Sequence, residues 1–259
     1  MSVGSVGSVR GVRQVVRGAG FAGLTLGCGT LVFLDVARSA GDAAKVTARD
    51  RWSGAWSRCL LRLFRVEVVV SGDPGPLRAG GRVVIANHRS IIDIAVLLSL
   101  FGGAMLARGD IERWPIMGAA ARSAGTIFVD RSSKRSGAHA VQAMVDRLLL
   151  HDTICIFPEG TTFEDDPVRP FKPGACVAAV RARVPVVPVA LVYPRDSGAA
   201  YGGETFLRHL GRLAGTRSTR LRVEVGKPME PFADEPVAAF TERCRAEVAR
   251  LLGVGRSRR

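Results

Sequence analysis

The stretch that decides the fold runs Gly81-Arg82-Val83-Val84-Ile85-Ala86-Asn87-His88-Arg89-Ser90-Ile91-Ile92-Asp93. Its first half predicts a short buried strand, and the apolar run 94–100 that follows predicts a helix beginning near Ser90. The turn between strand and helix carries His88, five positions before Asp93. Because helical side chains lean toward the N-terminus of their helix, we expect the Asp93 carboxylate to reach back to the imidazole.

An imidazole held by a carboxylate can act as a general base. An aspartate that accepts the Nδ1 proton fixes the tautomer and stabilises the imidazolium that forms when Nε2 takes a proton from a hydroxyl. The same residues also fit a capping box, in which Asp93 only returns to the backbone N–H of Ser90. The residues 87–93 alone leave both interpretations open.

Beyond residue 65, strand and helix signals alternate, which predicts an α/β fold with a layered sheet and flanking helices. The segments with strand composition are 66–70, 83–86, 104–107, 126–129, 153–157, 186–193 and 221–225. Helices are predicted from Pro115, over 138–150 and 175–183, and from Pro236 toward 252. We therefore expect one domain over 66–255, with a loop or flap at the glycine-rich stretch 195–218 and a disordered basic tail at 256–259.

The charge balance favours an anionic neighbour. The chain has 37 basic and 23 acidic residues, a formal charge of +14, and only four of the basic residues are lysine. No nucleic acid is expected as a partner, because nucleic-acid binders seldom combine such charge with 47% hydrophobic residues and a positive mean hydropathy. An anionic membrane surface fits both properties, although a coding bias toward arginine would give the same charge.

The cysteines predict neither a metal site nor a disulfide framework. They are odd in number, widely spaced and mostly in apolar stretches, at Cys28, Cys59, Cys155, Cys176 and Cys244. No Cys-x-x-Cys pair occurs, and no histidine clusters with them. We expect reduced thiols, no metal and a protein that faces the cytosol.

The N-terminal segment 1–65 is predicted to consist of basic, amphipathic helices that associate with a membrane. It holds ten basic and three acidic residues, and an uncharged run of 17 residues extends from Gly18 to Leu34. That run is shorter than the roughly 20 residues of a spanning helix, so a shallow insertion and a weak span are both open, and a signal peptide is a third interpretation. The basic residues ahead of it favour a cytoplasmic N-terminus.

A second N-terminal feature is an i, i+4 stripe formed by Trp52, Trp56, Leu60 and Phe64. Arginines lie largely on the other faces, which is typical of an amphipathic helix at the headgroup boundary of an anionic bilayer. The alternative is that the stripe packs on the core of the protein itself.

Polar segments directly follow three predicted strands: 87–93, Asp130-Arg131 and Glu159-Gly160-Thr161. In open α/β sheets, ligands bind outside the carboxyl ends of the strands. We therefore expect these segments to face one crevice that holds a base, a cation for an anionic substrate and a carboxylate that binds a hydroxyl.

Four motifs in order resemble those of the glycerolipid acyltransferase family. They are Asn87-His88-x4-Asp93, Gly125-Thr126-Ile127-Phe128-Val129-Asp130-Arg131, Phe157-Pro158-Glu159-Gly160-Thr161 and the Pro-centred stretch Val184-Pro185-Val186-Val187-Pro188-Val189. The resemblance covers about residues 66–230. It implies that the chain makes phosphatidic acid by direct acyl transfer from acyl-CoA or acyl-carrier protein to 1-acylglycerol-3-phosphate, with no other cofactor.

The resemblance also implies the roles of individual residues. His88 and Asp93 would be catalytic, and the substrate would be bound by Asn87, Arg108, Phe128, Arg131, Glu159, Gly160 and Thr161. Among these, Arg131 and Arg108 would bind the acceptor phosphate. The family further implies docking at the cytoplasmic face of the cell membrane, peripheral or monotopic.

Departures from the family pattern leave the acceptor open. Thr162 stands where many lysophosphatidate enzymes have arginine, and Arg108 stands where a lysine is often found. Thr162-Phe163 followed by Pro170-Phe171-Lys172 resembles the subgroup that acylates lyso-ornithine lipids. That acceptor, another lysolipid, and a non-catalytic module that binds lipid surfaces or nucleic acid are the alternatives to phosphatidic acid synthesis.

Overall fold

The computed structural model describes residues 3–75, 81–163, 167–194 and 197–257, which form one mixed sheet with helices on both faces. The strands are β1 Val66–Ser71, β2 Arg82–Ala86, β3 Ala104–Arg108, β4 Ile127–Val129, β5 Thr153–Ile156, β6 Val186–Val192 and β7 Thr219–Val225. The helices are α1 Val3–Arg38, α2 Asp42–Leu63, α3 Ile92–Phe101, α4 Met117–Ser123, α5 Lys134–Leu149, α6 Gly174–Ala182, α7 Phe206–Gly215 and α8 Val237–Ser257. A 3-10 helix, Gly109–Arg113, follows β3.

The sheet has the strand order β1-β7-β6-β2-β5-β3-β4. All neighbouring pairs are parallel except β6 and β7. Every residue of β2, β5 and β6 is buried, as expected for central strands covered by helices on both faces. Two hydrophobic cores, one on each side of the sheet, hold these strands in place.

The seven strands confirm the strand predictions to within two residues at each end. The predicted loop at 195–218 is wrong in part, because α7 forms within it. Thr205 caps this helix by accepting a hydrogen bond from the backbone N–H of Arg208. Leu210, Leu213 and Ala214 of α7 are buried, so tertiary packing stabilises a segment whose glycines favour a loop in isolation. The predicted disordered tail is also wrong in part, because α8 continues to Ser257; residues 258–259 lie outside the described part of the chain.

The first helix, α1, spans 36 residues and lies along the domain. It contacts α2, α4 and α7. Near its start, three polar side chains donate to backbone carbonyls at the end of α7: Arg13 to Gly215 (2.9 Å), Gln14 to Gly211 (2.9 Å) and Arg17 to Ala214, Thr216 and Arg217 (3.3, 2.5 and 3.2 Å). The last carbonyls of a helix have no partner within it, so α1 supplies the donors that α7 needs.

The apolar stripe of α2 faces the protein, which favours the alternative of core packing over membrane contact for this helix. Leu60 and Phe64 belong to the buried core, and Trp56 packs against it. The Trp52 indole N–H donates to Asp35 of α1 (2.9 Å), and that of Trp56 donates to Thr25 of α1 (3.1 Å). The structure therefore does not support membrane docking by the 52–64 stripe, because its apolar side chains pack within the protein.

The exposed apolar surface lies on α1 instead. Eight of the fifteen large apolar side chains that are exposed in the described residues belong to it: Val9, Val12, Val15, Val16, Leu26, Leu31, Phe33 and Leu34. The stretch Val9–Arg38 is long and apolar enough to cross a membrane by length and composition, and a signal sequence passes the same test. Its opposite side packs against α2, α4 and α7.

Candidate active site

Four adjacent parallel strands, β2, β5, β3 and β4, end at the same edge of the sheet. Their carboxyl ends lead to His88, to the segment 159–161, to Arg108 and to Arg131. The structure thus brings together the three polar segments that the sequence places after strands. The crevice beside them lies at the carboxyl ends of the strands, where open α/β sheets bind ligands.

His88 is held on two sides. Its Nδ1 lies 2.9 Å from Asp93 Oδ2, and its ring stacks on Phe157 with centroids 3.9 Å apart and planes 7° from parallel. The side chain keeps 16% of its surface exposed and lines the crevice. When the Nδ1 N–H donates to Asp93 Oδ2, Nε2 is left as the acceptor nitrogen.

Asp93 lies in the first turn of α3 and its side chain is fully buried. Besides His88, its Oδ2 accepts from the backbone N–H groups of Arg89 (2.6 Å) and Ser90 (2.8 Å), and its Oδ1 accepts from the Tyr193 hydroxyl (2.5 Å). The capping interaction and the histidine contact therefore coexist. The N-terminus of α3 and these donors stabilise negative charge on the Asp93 carboxylate beside the imidazole.

The Glu159 carboxylate lies behind His88, and the residue is absent from the described lining of the crevice. Its Oε1 accepts from the His88 backbone N–H (2.9 Å) and from Arg89 Nη1 (2.9 Å), and its Oε2 accepts from the Arg169 backbone N–H (3.0 Å). Both partners of the Arg89–Glu159 ion pair have buried side chains. This geometry departs from the expectation that Glu159 binds an acceptor hydroxyl, since its oxygens already hold the loop that carries His88.

The Asn87 side chain binds the backbone of a neighbouring strand. Its side-chain amide donates to the carbonyl of Leu191 (3.0 Å) and accepts from the Leu191 N–H (2.8 Å), which ties the end of β2 to β6. Phe128 lies in β4 and is not among the described residues that line the crevice. Asn87 and Phe128 are therefore not brought to the crevice wall, whereas Gly160 and Thr161 are. Gly160 has φ +86°, a backbone conformation that residues with a Cβ rarely adopt.

A cavity of about 530 Å³ opens beside His88 and continues between the helices. Most of its walls are apolar and come from elements far apart in sequence, including Val32 of α1, Trp56 of α2, Leu98 of α3, Met117 of α4 and Phe206 of α7. A cavity of this size and polarity is typical of a small-molecule site. The dimensions and lining suit an aliphatic chain whose polar end lies at His88.

Two arginines lie at the polar end of this cavity. Arg108 and Arg131 both line it and both are exposed to solvent. Arg108 Nε donates to Asp110 Oδ1 (2.8 Å), and its Nη2 contacts the other oxygen of the same carboxylate. Arg131 forms no ion pair within the described residues, so its guanidinium is available to an anion.

Neither Tyr193 nor the buried His209 behind Asp93 lies in the sequence motifs. The Ser90 hydroxyl lies 3.2 Å from His209 Nε2, and His209 Nδ1 lies 2.9 Å from Glu204. Burial lowers the pKa of His209, which keeps this imidazole neutral near pH 7. No motif spacing signals these contacts, because Tyr193 and His209 are about 100 residues or more from Asp93 in sequence.

Comparison with known proteins gives the family. A family model described as acyltransferase matches residues 68–192. A lyso-ornithine lipid O-acyltransferase of Pseudomonas aeruginosa is 30% identical over 84% of this chain and 85% of the relative. A second protein of that name, from Brucella abortus, is 35% identical over 79% of this chain and 82% of the relative. The chain belongs to the glycerolipid acyltransferase family. It is an acyltransferase that acts on lysolipids, which confirms the family resemblance and excludes a purely non-catalytic role.

A further member of the glycerolipid acyltransferase family is similar over about half of the sequence. A 1-acyl-sn-glycerol-3-phosphate acyltransferase of Neisseria gonorrhoeae is 32% identical over 49% of this chain and 50% of the relative. The crystal structure of the 1-acyl-sn-glycerophosphate (LPA) acyltransferase PlsC from Thermotoga maritima superimposes with a TM-score of 0.72, covering 95% of this chain and 98% of that one at 20% identity. The α/β fold with its N-terminal helices is thereby confirmed.

Proposed function

We propose that the protein transfers an acyl chain from a thioester donor to the free hydroxyl of a lysolipid whose headgroup carries a phosphate or a carboxylate, with His88 as general base and Asp93 as its partner. The observation that carries this proposal is the 2.9 Å contact between His88 Nδ1 and Asp93 Oδ2 at the polar end of an apolar cavity. That contact leaves Nε2 as the proton acceptor on the cavity side.

The reaction is a direct transfer. His88 Nε2 takes the proton of the acceptor hydroxyl while the oxygen attacks the thioester carbonyl, and a tetrahedral oxyanion forms. When the C–S bond breaks, the imidazolium returns the proton to the leaving thiolate. The products are the diacyl lipid and a free thiol, and no acyl-enzyme is required. Asp93 stabilises the imidazolium between the two steps.

The donor is proposed to be acyl-CoA or acyl-carrier protein, used as co-substrate, with no further cofactor. The apolar cavity between α1, α2, α3 and α4 would hold the aliphatic chain, since burial of methylene groups against apolar walls is favourable by about 0.8 kcal/mol each. Its polar end would then place the thioester beside His88. Gly160 and Thr161 at that end are proposed to contact the acceptor.

The first candidate acceptor is 1-acylglycerol-3-phosphate, which would make the product phosphatidic acid. Arg131 and Arg108 at the rim present cations to a phosphate, and guanidinium groups bind phosphate oxygens bidentately. The second candidate is lyso-ornithine lipid. It is favoured by the two relatives with that printed name, which match most of both chains, and by Thr162 at the cavity wall in place of arginine.

An acceptor panel tests the function. Purified protein in detergent with oleoyl-CoA is offered 1-oleoylglycerol-3-phosphate, lyso-ornithine lipid and an uncharged monoacylglycerol in parallel. Thiol release and the mass of the lipid product are measured. We expect turnover of at least one of the two lysolipids that carry a phosphate or a carboxylate, and none of the monoacylglycerol. The proposal is contradicted if no acceptor leads to thioester consumption with either acyl-CoA or acyl-carrier protein as the donor.

Replacing Arg131 with alanine is expected to raise KM for the anionic acceptor about tenfold and to change kcat much less, because a charge-assisted hydrogen bond in a partly wet site contributes roughly 1.5–3 kcal/mol at most. Initial rates across acceptor concentrations measure this. Arg135→Ala removes another exposed cation, one on α5 outside the cavity, and serves as the control. Equal KM values for the two variants would count against Arg131 as the anion site.

We further propose that α1 lies in the plane of an anionic membrane surface at the cytoplasmic face, which makes the protein monotopic. Support comes from its exposed apolar row and from its attachment to α2, α4 and α7 along the other side. A spanning helix would have to leave these partners. The basic balance of the chain would add electrostatic attraction to anionic lipids.

Phe33→Glu is expected to weaken binding to anionic vesicles about tenfold, because a phenylalanine moved from water into an apolar layer gains roughly 1.5–3 kcal/mol. Vesicle flotation measures the bound fraction. Phe232→Glu is the matched control, since Phe232 is 67% exposed and Phe33 is 63% exposed, but Phe232 lies before α8. Equal weakening by both changes would argue against a docking surface on α1.

A further inference from the structure

Tyr193 follows β6, where the chain leaves the sheet, and its hydroxyl meets the buried side of Asp93. The two oxygens of that carboxylate have different partners. Oδ2 accepts from His88 and from two backbone N–H groups, while Oδ1 accepts from the Tyr193 hydroxyl at 2.5 Å. The phenol therefore fixes the rotation of the carboxylate about its last bond, which decides whether Oδ2 faces the imidazole.

Burial and the Asp93 charge raise the pKa of Tyr193, so its hydroxyl stays protonated and acts as a donor. The other titratable or charged groups around Asp93 come from every element packed against it. They are His88 and Arg89 before α3, Glu159 after β5, and His209 of α7, backed by Glu204 and Arg212. Among them, only His88 also lines the acyl cavity.

We propose that Tyr193 is a positioning residue of the catalytic pair, which acts through Asp93 and never touches substrate. Its hydroxyl holds Oδ1 so that Oδ2 stays aligned with His88 Nδ1, and it takes up part of the carboxylate charge. This inference rests on the proposed role of His88 and Asp93 and adds a residue that the four family motifs do not contain. Tyr193 directly follows β6, so the sheet sets the position of its hydroxyl relative to Asp93.

Tyr193→Phe is expected to lower kcat roughly tenfold and to leave the acceptor KM within about twofold, because the lost hydrogen bond orients the base and contacts no substrate. The acid limb of the pH profile of kcat/KM is expected to move to higher pH. Without the Tyr193 hydroxyl, more negative charge remains on the Asp93 oxygen that faces His88. This charge stabilises the imidazolium, so a higher pH is needed to deprotonate His88.

3-Fluorotyrosine at position 193 gives the opposite test with nearly the same shape. Its more acidic phenol donates more strongly, so the acid limb is expected to move to lower pH while the protein remains folded. A merely structural role for the ring predicts no movement of the limb in either variant. This second replacement keeps the inference testable even if the phenylalanine variant unfolds.

The control for Tyr193→Phe is Thr241→Val, which deletes another buried hydroxyl, one that donates to the Val237 carbonyl on α8 away from the site. It is expected to leave the pH profile unchanged. The decisive comparison combines Tyr193→Phe with Asp93→Ala. If Tyr193 acts through Asp93, its loss costs nothing further in that background.

Equal loss of kcat in both backgrounds, or an unmoved acid limb in both Tyr193 replacements, would overturn the inference. Failure of the proposed function is recognised separately. In that case, His88→Ala would retain the wild-type rate, whereas an inactive His88→Ala together with a normal Tyr193→Phe would remove only the role of Tyr193.

Discussion

His88→Ala is expected to reduce kcat/KM for acyl transfer by on the order of 10²–10⁴, the contribution of a positioned general base. The imidazole is the one titratable group that combines a carboxylate partner, a stacking ring and a place on the cavity wall in the described part of the chain. Loss of its Nε2 leaves the acceptor hydroxyl with a proton that no described neighbour is placed to take. The measurement is thiol release with the preferred acceptor at saturating acyl-CoA.

The control for this change is His139→Ala, which removes an exposed histidine from α5 outside the cavity. His88→Gln provides a second variant that retains a polar side chain of similar size and supplies no base. We expect both position-88 variants to be inactive and the position-139 variant to behave as wild type. Similar rates for all four proteins would show that the imidazole does not take the proton.

Glu159→Gln is expected to destabilise the fold by about 3–5 kcal/mol, because it leaves the buried Arg89 guanidinium without its ion-pair charge. The same change weakens the acceptor for the His88 backbone N–H, so kcat is expected to fall as well. Chemical denaturation gives the free energy of unfolding. Glu67→Gln is the control, since it breaks an exposed pair with Arg220 and should change stability little.

A second substitution tests whether the ion pair is the cause. Arg89→Met combined with Glu159→Gln removes both charges, so the double variant is expected to be more stable than the sum of the two single changes predicts. Strict additivity of the three unfolding free energies would mean that the two side chains stabilise the fold independently. It would also return Glu159 to consideration as a direct substrate ligand.

The sheet could be predicted from sequence because its strands carry a local signal. Strands buried on both faces are continuous apolar runs, as in 83–86 and 186–192. The dyad was predictable for a similar reason. A spacing of five across a strand-to-helix turn lets Asp93 reach His88 through the geometry of one helix turn alone.

The helices that complete the site lacked such a signal. In α7, Gly211 and Gly215 lower intrinsic helicity, and the helix forms because its buried face packs on the core and α1 supplies donors to its last turn. In α1, five glycines within 18–34 obscured one continuous helix. Both elements are stabilised by contacts between segments about 200 residues apart, which no local pattern encodes.

The roles of the motif residues were only partly predictable for a related reason. Asn87 is next to His88 in the first motif and Glu159 lies in the third, and a sequence cannot tell whether a polar side chain faces a cavity or the backbone of another segment. The answer depends on Leu191 for Asn87 and on Arg89 for Glu159, which lie 104 and 70 positions away in the sequence. Tyr193 was overlooked for the same reason, since its hydroxyl matters only once β6 lies next to β2.

The fastening of α1 has a practical consequence for anyone who wishes to handle this enzyme in water. Thr25, Cys28 and Val32 of that helix form part of the wall around the proposed acyl site, and Arg13 and Arg17 cap α7. Removing the apolar helix α1 to improve solubility would therefore open the proposed acyl cavity and remove the side chains that cap α7. Surface engineering of the outward valines, with the helix kept, is the route that preserves the catalyst.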